Sequence, residues 1–153
     1  MQSISPEIIF RGNYAWEKAL PHISSFSKTP LILGRSSSTH KLRNKIFSDL
    51  ENKKLNPGIA CLEFDCCYED ISRVKNIVIK NKHDSVISAG GGKVLDSGKY
   101  IAECLNIPSI TVPLSASTCA GWTALSNIYT KNGQFIKDVA LSSCPKVLVF
   151  DHK

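Results

Sequence analysis

The sequence predicts an α/β fold with a mostly parallel sheet and helices on both of its faces. Short apolar runs alternate with longer segments in which apolar residues recur every three or four positions, and turn residues separate the two kinds of segment. A chain of 153 residues is also long enough to bury one hydrophobic core. We therefore expect residues 1–153 to form a single domain.

In the first half of the chain, three strand-like runs alternate with three helix-like segments. The second helix begins beside a serine run that can cap it. In chain order the predicted elements are a strand at 7–10, a helix carrying Ala19, Leu20, Ile23 and Phe26, a strand at 30–34, a helix at 36–50, a strand at 59–64 and a helix at 69–80.

The second half continues the alternation and ends on an apolar strand. The helix after the first strand of this half spans about four turns. The predicted elements are a strand at 84–90, a helix carrying Val94, Leu95, Gly98, Ile101, Ala102 and Leu105, a strand at 108–113, a Ser/Thr-rich segment, a hairpin around Lys131-Asn132-Gly133 and a strand at 146–150.

The glycine run Gly90-Gly91-Gly92, followed by Lys93, lies between a predicted strand and a predicted helix. Glycines let the backbone approach a phosphate closely, and the helix N-terminus adds free N–H donors and a positive dipole end. The run matches neither the G-x4-G-K-[ST] phosphate loop nor the G-x-G-x-x-G dinucleotide fingerprint, because Leu95 stands at the third glycine. From these residues alone, a tight strand-to-helix turn remains the alternative.

Composition and charge narrow the function classes. The net charge is +6, but the basic residues are scattered, with no run denser than Lys53-Lys54, so we expect no nucleic-acid partner. No apolar stretch approaches the ~20 residues of a membrane span, and the N-terminus shows no signal peptide. Without a secretory signal, and in a chain too long and apolar to need disulfide bonds, the six cysteines are expected to be free thiols of a cytoplasmic protein, and their spacing does not fit a zinc ribbon.

Two further motifs, taken with the glycine run, resemble the glycerol dehydrogenases of the iron-containing alcohol dehydrogenase and dehydroquinate-synthase-like superfamily. Weaker resemblance extends over Phe10-Arg11-Gly12 and over 145–153. The matching strings are GGGK-x-x-D-x-x-K, then P-x-x-x-S-T, then A-L-S-x-I-Y, supplied by Gly90, Gly91, Gly92, Lys93, Asp96, Lys99, Pro113, Ser117, Thr118, Ala124, Leu125, Ser126, Ile128 and Tyr129.

The resemblance implies a Rossmann-like nucleotide-binding domain that binds NAD or NADP and takes part in hydride transfer with an alcohol or polyol. It gives no catalytic residue. Asp96 is expected to be structural, as an acid in the first helical turn. By resemblance, the cofactor-binding residues are Gly34, Arg35, Ser36, Gly90, Gly91, Gly92, Lys93, Ser117, Thr123, Leu125 and Tyr129, and the substrate-side residues are Thr118 and Cys119.

Three departures from the family pattern qualify these expectations. Arg35 and Ser36 stand where the family usually has an acid for the adenosine ribose, which suggests a preference for NADP. Cys119 replaces a substrate-binding acid, so glycerol is not a secure substrate. By resemblance, the family's metal ligands come from a C-terminal helical domain, which we do not expect within residues 1–153. We therefore expect no metal site in this chain, zinc or iron only in a full-length protein, and no turnover by the chain alone.

Two alternatives stay open at this point. One is a lyase domain of the dehydroquinate-synthase branch, although the A-L-S-x-I-Y string favours the dehydrogenases. The other is a catalytically inactive, truncated nucleotide-binding module. In a fragment, apolar surface at the missing domain contact would favour self-association, so a homo-oligomer is an expected partner state.

Overall fold

The computed structural model describes residues 4–152 and contains eight strands, four α-helices and one 3-10 turn. The match at 145–153 therefore ends on a residue, Lys153, that lies outside the described part. The elements are β1 (Ile8–Gly12), α1 (Ala15–Phe26), β2 (Pro30–Gly34), the 3-10 turn (Ser37–Thr39), α2 (His40–Asn52), β3 (Gly58–Cys61), α3 (Tyr68–Lys80), β4 (Ser85–Gly90), α4 (Gly92–Leu105), β5 (Ser109–Pro113), β6 (Leu125–Tyr129), β7 (Phe135–Ala140) and β8 (Val147–Asp151).

Six of the strands form one sheet in the order β1-β8-β5-β4-β2-β3, and every pair in it is parallel. The mostly parallel, Rossmann-like prediction is therefore confirmed. The carboxyl ends of all six strands meet at one edge, where α/β folds place their ligand sites. β6 and β7 form the predicted hairpin as a separate antiparallel pair, and β7 is largely exposed.

Helices cover both faces of the sheet, as the sequence predicts. Along β2, Ile32 belongs to the core formed with α1 and α2, whereas its neighbours Leu31 and Leu33 belong to the core formed with α3 and α4. This alternation follows from the two-residue period of a strand and explains why β2 is apolar throughout. None of the described helices, of which the longest has 14 residues, has the length and apolarity of a membrane span.

Two predicted elements differ from the structure in where or how they begin or end. β3 ends at Cys61, not at residue 64, because the Asp70 carboxylate accepts hydrogen bonds from the backbone N–H groups of Glu63 (3.1 Å) and Phe64 (2.7 Å). The predicted helix at 36–50 begins as a 3-10 turn, in which Ser36 Oγ accepts from Ser38 N at 3.1 Å.

Leu125 and Tyr129, four residues apart, both lie on strand β6. A spacing of four residues is compatible with one face of a helix or of a strand, so spacing alone does not separate the two.

Helix α4 lies very close to β4 at Gly98. A Cβ atom at this position would lie 1.6 Å from Ser88 Oγ and 2.9 Å from Ser88 Cβ. Both residues are buried, so neither can move into solvent. Gly98 therefore fixes the distance between the helix that follows the glycine run and the strand that precedes it.

We expect Gly98→Ala to lower the free energy of unfolding by about 1–3 kcal/mol through overpacking, although alanine is the better helix former. Urea unfolding of the purified chain measures this change. The double variant Ser88→Ala/Gly98→Ala should recover part of the loss, because it removes the closest atom. A Gly98→Ala chain as stable as the wild type would contradict the close packing.

Candidate functional site

The loops that follow β2 and β4 enclose a pocket of about 310 Å³ at the carboxyl edge of the sheet, which we call the glycine-turn pocket. It brings together two segments that are separated by more than 50 residues in the sequence. Its lining residues are Arg35, Ser36, Thr39, Gly90, Gly91, Gly92, Lys93 and Val94.

The glycine run gives this pocket an accessible backbone. A Cβ atom on Gly91 would meet no other atom within 4 Å, so the space beside it is open to a ligand. At Gly90 a Cβ atom would lie 2.9 Å from Val94 Cβ, so this position needs glycine for the turn itself. Gly91 is the N-cap of α4 and provides no side-chain cap, which leaves the helix N-terminus available to an anion.

Lys93 lies at the pocket, as predicted, but its ammonium group already has a partner. Nζ forms an ion pair with the buried carboxylate of Asp65 and lies 4.7 Å from the centre of the Tyr129 ring. Sequence reasoning missed Asp65, which is 28 residues away on the loop before α3. The Lys93 charge is thus partly neutralised, so an anion at this turn would depend mainly on the backbone N–H groups.

On the other side of the glycine-turn pocket, the last residue of β2 and the residue that follows it differ in exposure. Arg35 is exposed and forms no hydrogen bond or ion pair with any described residue, so its guanidinium is available to a ligand. Gly34, predicted as a cofactor contact, is buried at the end of β2 and does not line the pocket.

A second pocket of about 340 Å³, the hairpin pocket, lies between α4, the loop after β5 and strand β6. Both pockets include Gly92 and Lys93, so together they form a continuous site across the N-terminus of α4. The hairpin pocket brings together the two predicted substrate-side residues and three of the predicted cofactor contacts, Thr123, Leu125 and Tyr129. It is lined by Gly92, Lys93, Asp96, Thr118, Cys119, Ala120, Thr123, Leu125, Asn127 and Tyr129.

Ser117, like Gly34, is a predicted cofactor contact that neither pocket includes. Its side chain is exposed, and its Oγ lies 2.5 Å from Ser115 Oγ within the loop after β5.

A buried ion pair holds the hairpin pocket in place. Lys99 Nζ lies 2.9 Å from Asp96 Oδ1, and the two side chains are 1% and 9% exposed. The same ammonium donates to the carbonyl oxygens of Thr123, at 3.1 Å, and of Leu125. Burial raises the pKa of Asp96, although the charge and hydrogen bond of Lys99 act in the opposite direction. The predicted placement of Asp96 in the first helical turn is wrong, because α4 begins at Gly92 and its first turn contains no acid. Asp96 instead contacts Lys99 and accepts from the backbone N–H of Asn127 on β6.

Asn127 is a second residue that sequence reasoning missed. It lines the hairpin pocket from β6, and its Oδ1 atom is buried without a hydrogen-bond partner among the described residues. A buried acceptor of this kind costs free energy unless something donates to it. Asn127 therefore offers a hydrogen-bond acceptor to a ligand amide or hydroxyl.

The cysteines and acids form no metal site. In residues 4–152 there is no group of three or more His, Cys, Asp or Glu side chains that could hold an ion. All six cysteines are free; Cys119 is exposed in the hairpin pocket, whereas burial raises the pKa of Cys66 to about 12.

We expect Lys99→Met to lower the free energy of unfolding by about 3–5 kcal/mol, because it leaves the Asp96 carboxylate buried without its counter-ion. Denaturant titration measures the loss, and Lys80→Met, on the exposed end of α3, is the matched control. The double variant Asp96→Asn/Lys99→Met should be more stable than Lys99→Met alone. Equal stability of Lys99→Met and Lys80→Met would show that the Asp96–Lys99 ion pair does not stabilise the hairpin.

The geometry agrees with comparisons to known proteins. The model of the family described as iron-containing alcohol dehydrogenase matches residues 6–152. An uncharacterized oxidoreductase of Synechocystis sp. is 33% identical over 151 residues, covering 99% of this chain and 39% of that protein. A glycerol dehydrogenase of Thermotoga maritima is 38% identical over 110 residues, covering 72% of this chain and 29% of that protein.

The crystal structure of glycerol dehydrogenase from Schizosaccharomyces pombe superposes with a TM-score of 0.87 at 26% identity, covering 98% of this chain and 38% of that one. The chain thus spans well under half the length of these relatives and corresponds to their N-terminal portion. With the family model matching nearly all of its residues, the chain belongs to the iron-containing alcohol dehydrogenase family.

Proposed function

We propose that residues 1–153 form the NAD(P)-binding domain of a cytoplasmic alcohol or polyol dehydrogenase. The observation that carries this proposal is the continuous site across the N-terminus of α4, in which an open glycine turn adjoins a pocket lined by polar and aromatic groups. A dinucleotide needs such an arrangement, because its pyrophosphate lies between two chemically different ends. The free cysteines are compatible with a reducing compartment.

Each end of the site suits one part of the cofactor. The backbone at Gly90, Gly91 and Gly92 would hold the pyrophosphate, and Arg35 with Ser36 would lie at the adenosine ribose. The nicotinamide would occupy the hairpin pocket between Leu125 and Tyr129, where Asn127 Oδ1 can accept from its carboxamide. When bound, the nicotinamide exchanges a hydride with the carbinol carbon of the substrate.

The substrate side of the hairpin pocket is defined by Thr118 and Cys119. The Thr118 hydroxyl can bond a substrate hydroxyl, although it already accepts from Ala120 N at 3.1 Å. The Cys119 thiol is a weak hydrogen-bond partner, whereas a carboxylate would accept from two hydroxyl groups. The proposed substrate class is therefore a secondary alcohol or polyol, a class that includes the glycerol of the relatives' names.

We expect Gly91→Asp to weaken both NAD and NADP binding by about tenfold or more, because a carboxylate in the open space beside the turn repels the pyrophosphate. Isothermal titration of the chain with each dinucleotide measures the effect. The control is Asn132→Asp, which adds the same charge on an exposed hairpin turn. Unchanged binding by Gly91→Asp would exclude the glycine run from the site.

We also propose that NADP is the preferred cofactor, because Arg35 is exposed at the ribose end and has no partner among the described residues. Arg35→Gln should weaken NADP binding by about tenfold while changing NAD binding little. Titrations of the wild type, Arg35→Gln and the exposed control Arg11→Gln test this expectation. If the wild type binds NAD more tightly than NADP, the preference is wrong.

A further inference from the structure

We propose that Arg43 is a positioning residue that turns the loop after β2 into a site for a phosphomonoester, such as the 2′-phosphate of an adenosine ribose. The inference rests on the proposed function in one respect only, which is that a nucleotide binds at this edge of the sheet.

Arg43 lies beneath the loop and holds it from inside the protein. Its side chain, on the second turn of α2, is only 2% exposed. Nη2 donates to the carbonyl oxygen of Ser36 at 3.0 Å, and Nη1 donates to Thr39 Oγ1. Ser36 and Thr39 both line the glycine-turn pocket, so the guanidinium sets the shape of one wall of that pocket.

The charge of Arg43 has no counter-ion. Within residues 4–152 no carboxylate forms an ion pair with it, and its Nε atom is buried without a hydrogen-bond partner. Burial of an unpaired cation is unfavourable, and a neutral side chain of similar volume would fill the same space without that cost. The observation calls for an anion close to the loop.

Gly34 provides the room for this arrangement. A Cβ atom at position 34 would lie 2.4 Å from Arg43 Cδ and 2.6 Å from Nη1. Any other residue at Gly34 would displace the guanidinium from under the loop. The predicted contribution of Gly34 to cofactor binding is thus an indirect one, made through Arg43.

The other groups around the loop select a dianion over a sugar diol. Arg35 presents a second guanidinium at the surface, and Ser36 and Ser38 present hydroxyl groups whose oxygens lie 2.6 Å apart. The lining of the glycine-turn pocket includes no carboxylate. A ribose diol is best bound by a carboxylate acceptor, whereas a phosphate dianion is best bound by guanidinium and hydroxyl donors.

The test compares NADP, NAD and adenosine 2′,5′-bisphosphate in titrations of the 153-residue chain and its variants. Arg43→Met should weaken the binding of NADP and of the bisphosphate by about tenfold or more, and it should change the affinity for NAD by less than about threefold. Arg43→Lys, which keeps the charge but cannot bridge Ser36 and Thr39 in the same way, should fall between Arg43→Met and the wild type. The control Lys41→Gln removes one exposed charge from the same helix and should alter none of the three affinities.

An equal loss of NAD and NADP affinity in Arg43→Met would assign Arg43 a purely structural role and overturn the inference, as would no loss at all. If Arg43→Met does not fold, Arg43→Lys decides the question, and an unchanged NADP-to-NAD ratio in that variant counts against the phosphate site. The same titrations distinguish failure of the proposed function from failure of this inference. A chain that binds the bisphosphate through Arg43, but neither dinucleotide, retains the phosphate site and loses the dehydrogenase assignment.

Discussion

The site depends first on the position of helix α4 against β4. Gly98 lets the helix lie directly on Ser88, and this contact fixes where the helix N-terminus meets the glycine turn. Asp96 and Lys99, on either side of Gly98 in the same helix, form an ion pair, and the Lys99 ammonium donates hydrogen bonds to two carbonyl oxygens, those of Thr123 and Leu125. A single helix therefore places the anion-binding backbone and the hairpin pocket in a fixed relation to each other.

Much of the fold follows from periodicity, because the apolar pattern records which side of each element is buried. β2 has the predicted bounds, since its apolar run is flanked by clear turn signals. β3 is shorter than predicted, since the carboxylate of Asp70, on the next helix, takes two backbone N–H groups that would otherwise extend the strand. A contact of this kind depends on tertiary structure and leaves no periodic signal.

The candidate site was predictable where a motif concentrates it and not where distant charges combine. The glycine run and the two strings after β5 and in β6 are local, and most of their predicted residues line the two pockets. Asp65 meets Lys93 only through folding, and Arg43 lies on a helix whose pattern of charged residues gives no sign that this one is buried. Both residues change the electrostatics of the site, because the first neutralises a predicted cation and the second supplies one that was not predicted.

The β6–β7 hairpin, which forms one wall of the hairpin pocket, leaves an open strand edge that favours aggregation of the chain. Among the strands that the structure describes, β7 pairs only with β6, so its outer side presents backbone N–H and C=O groups without a strand partner in residues 4–152. Its first two residues, Phe135 and Ile136, are 57% and 46% exposed. An open edge of this kind can pair with a strand of another molecule and start aggregation. Lys137 and Asp138 follow at once, and since successive residues of a strand point to opposite faces, each face carries a charge. Charged residues on an exposed strand oppose its pairing with strands of other molecules, so Lys137 and Asp138 are expected to limit aggregation through β7.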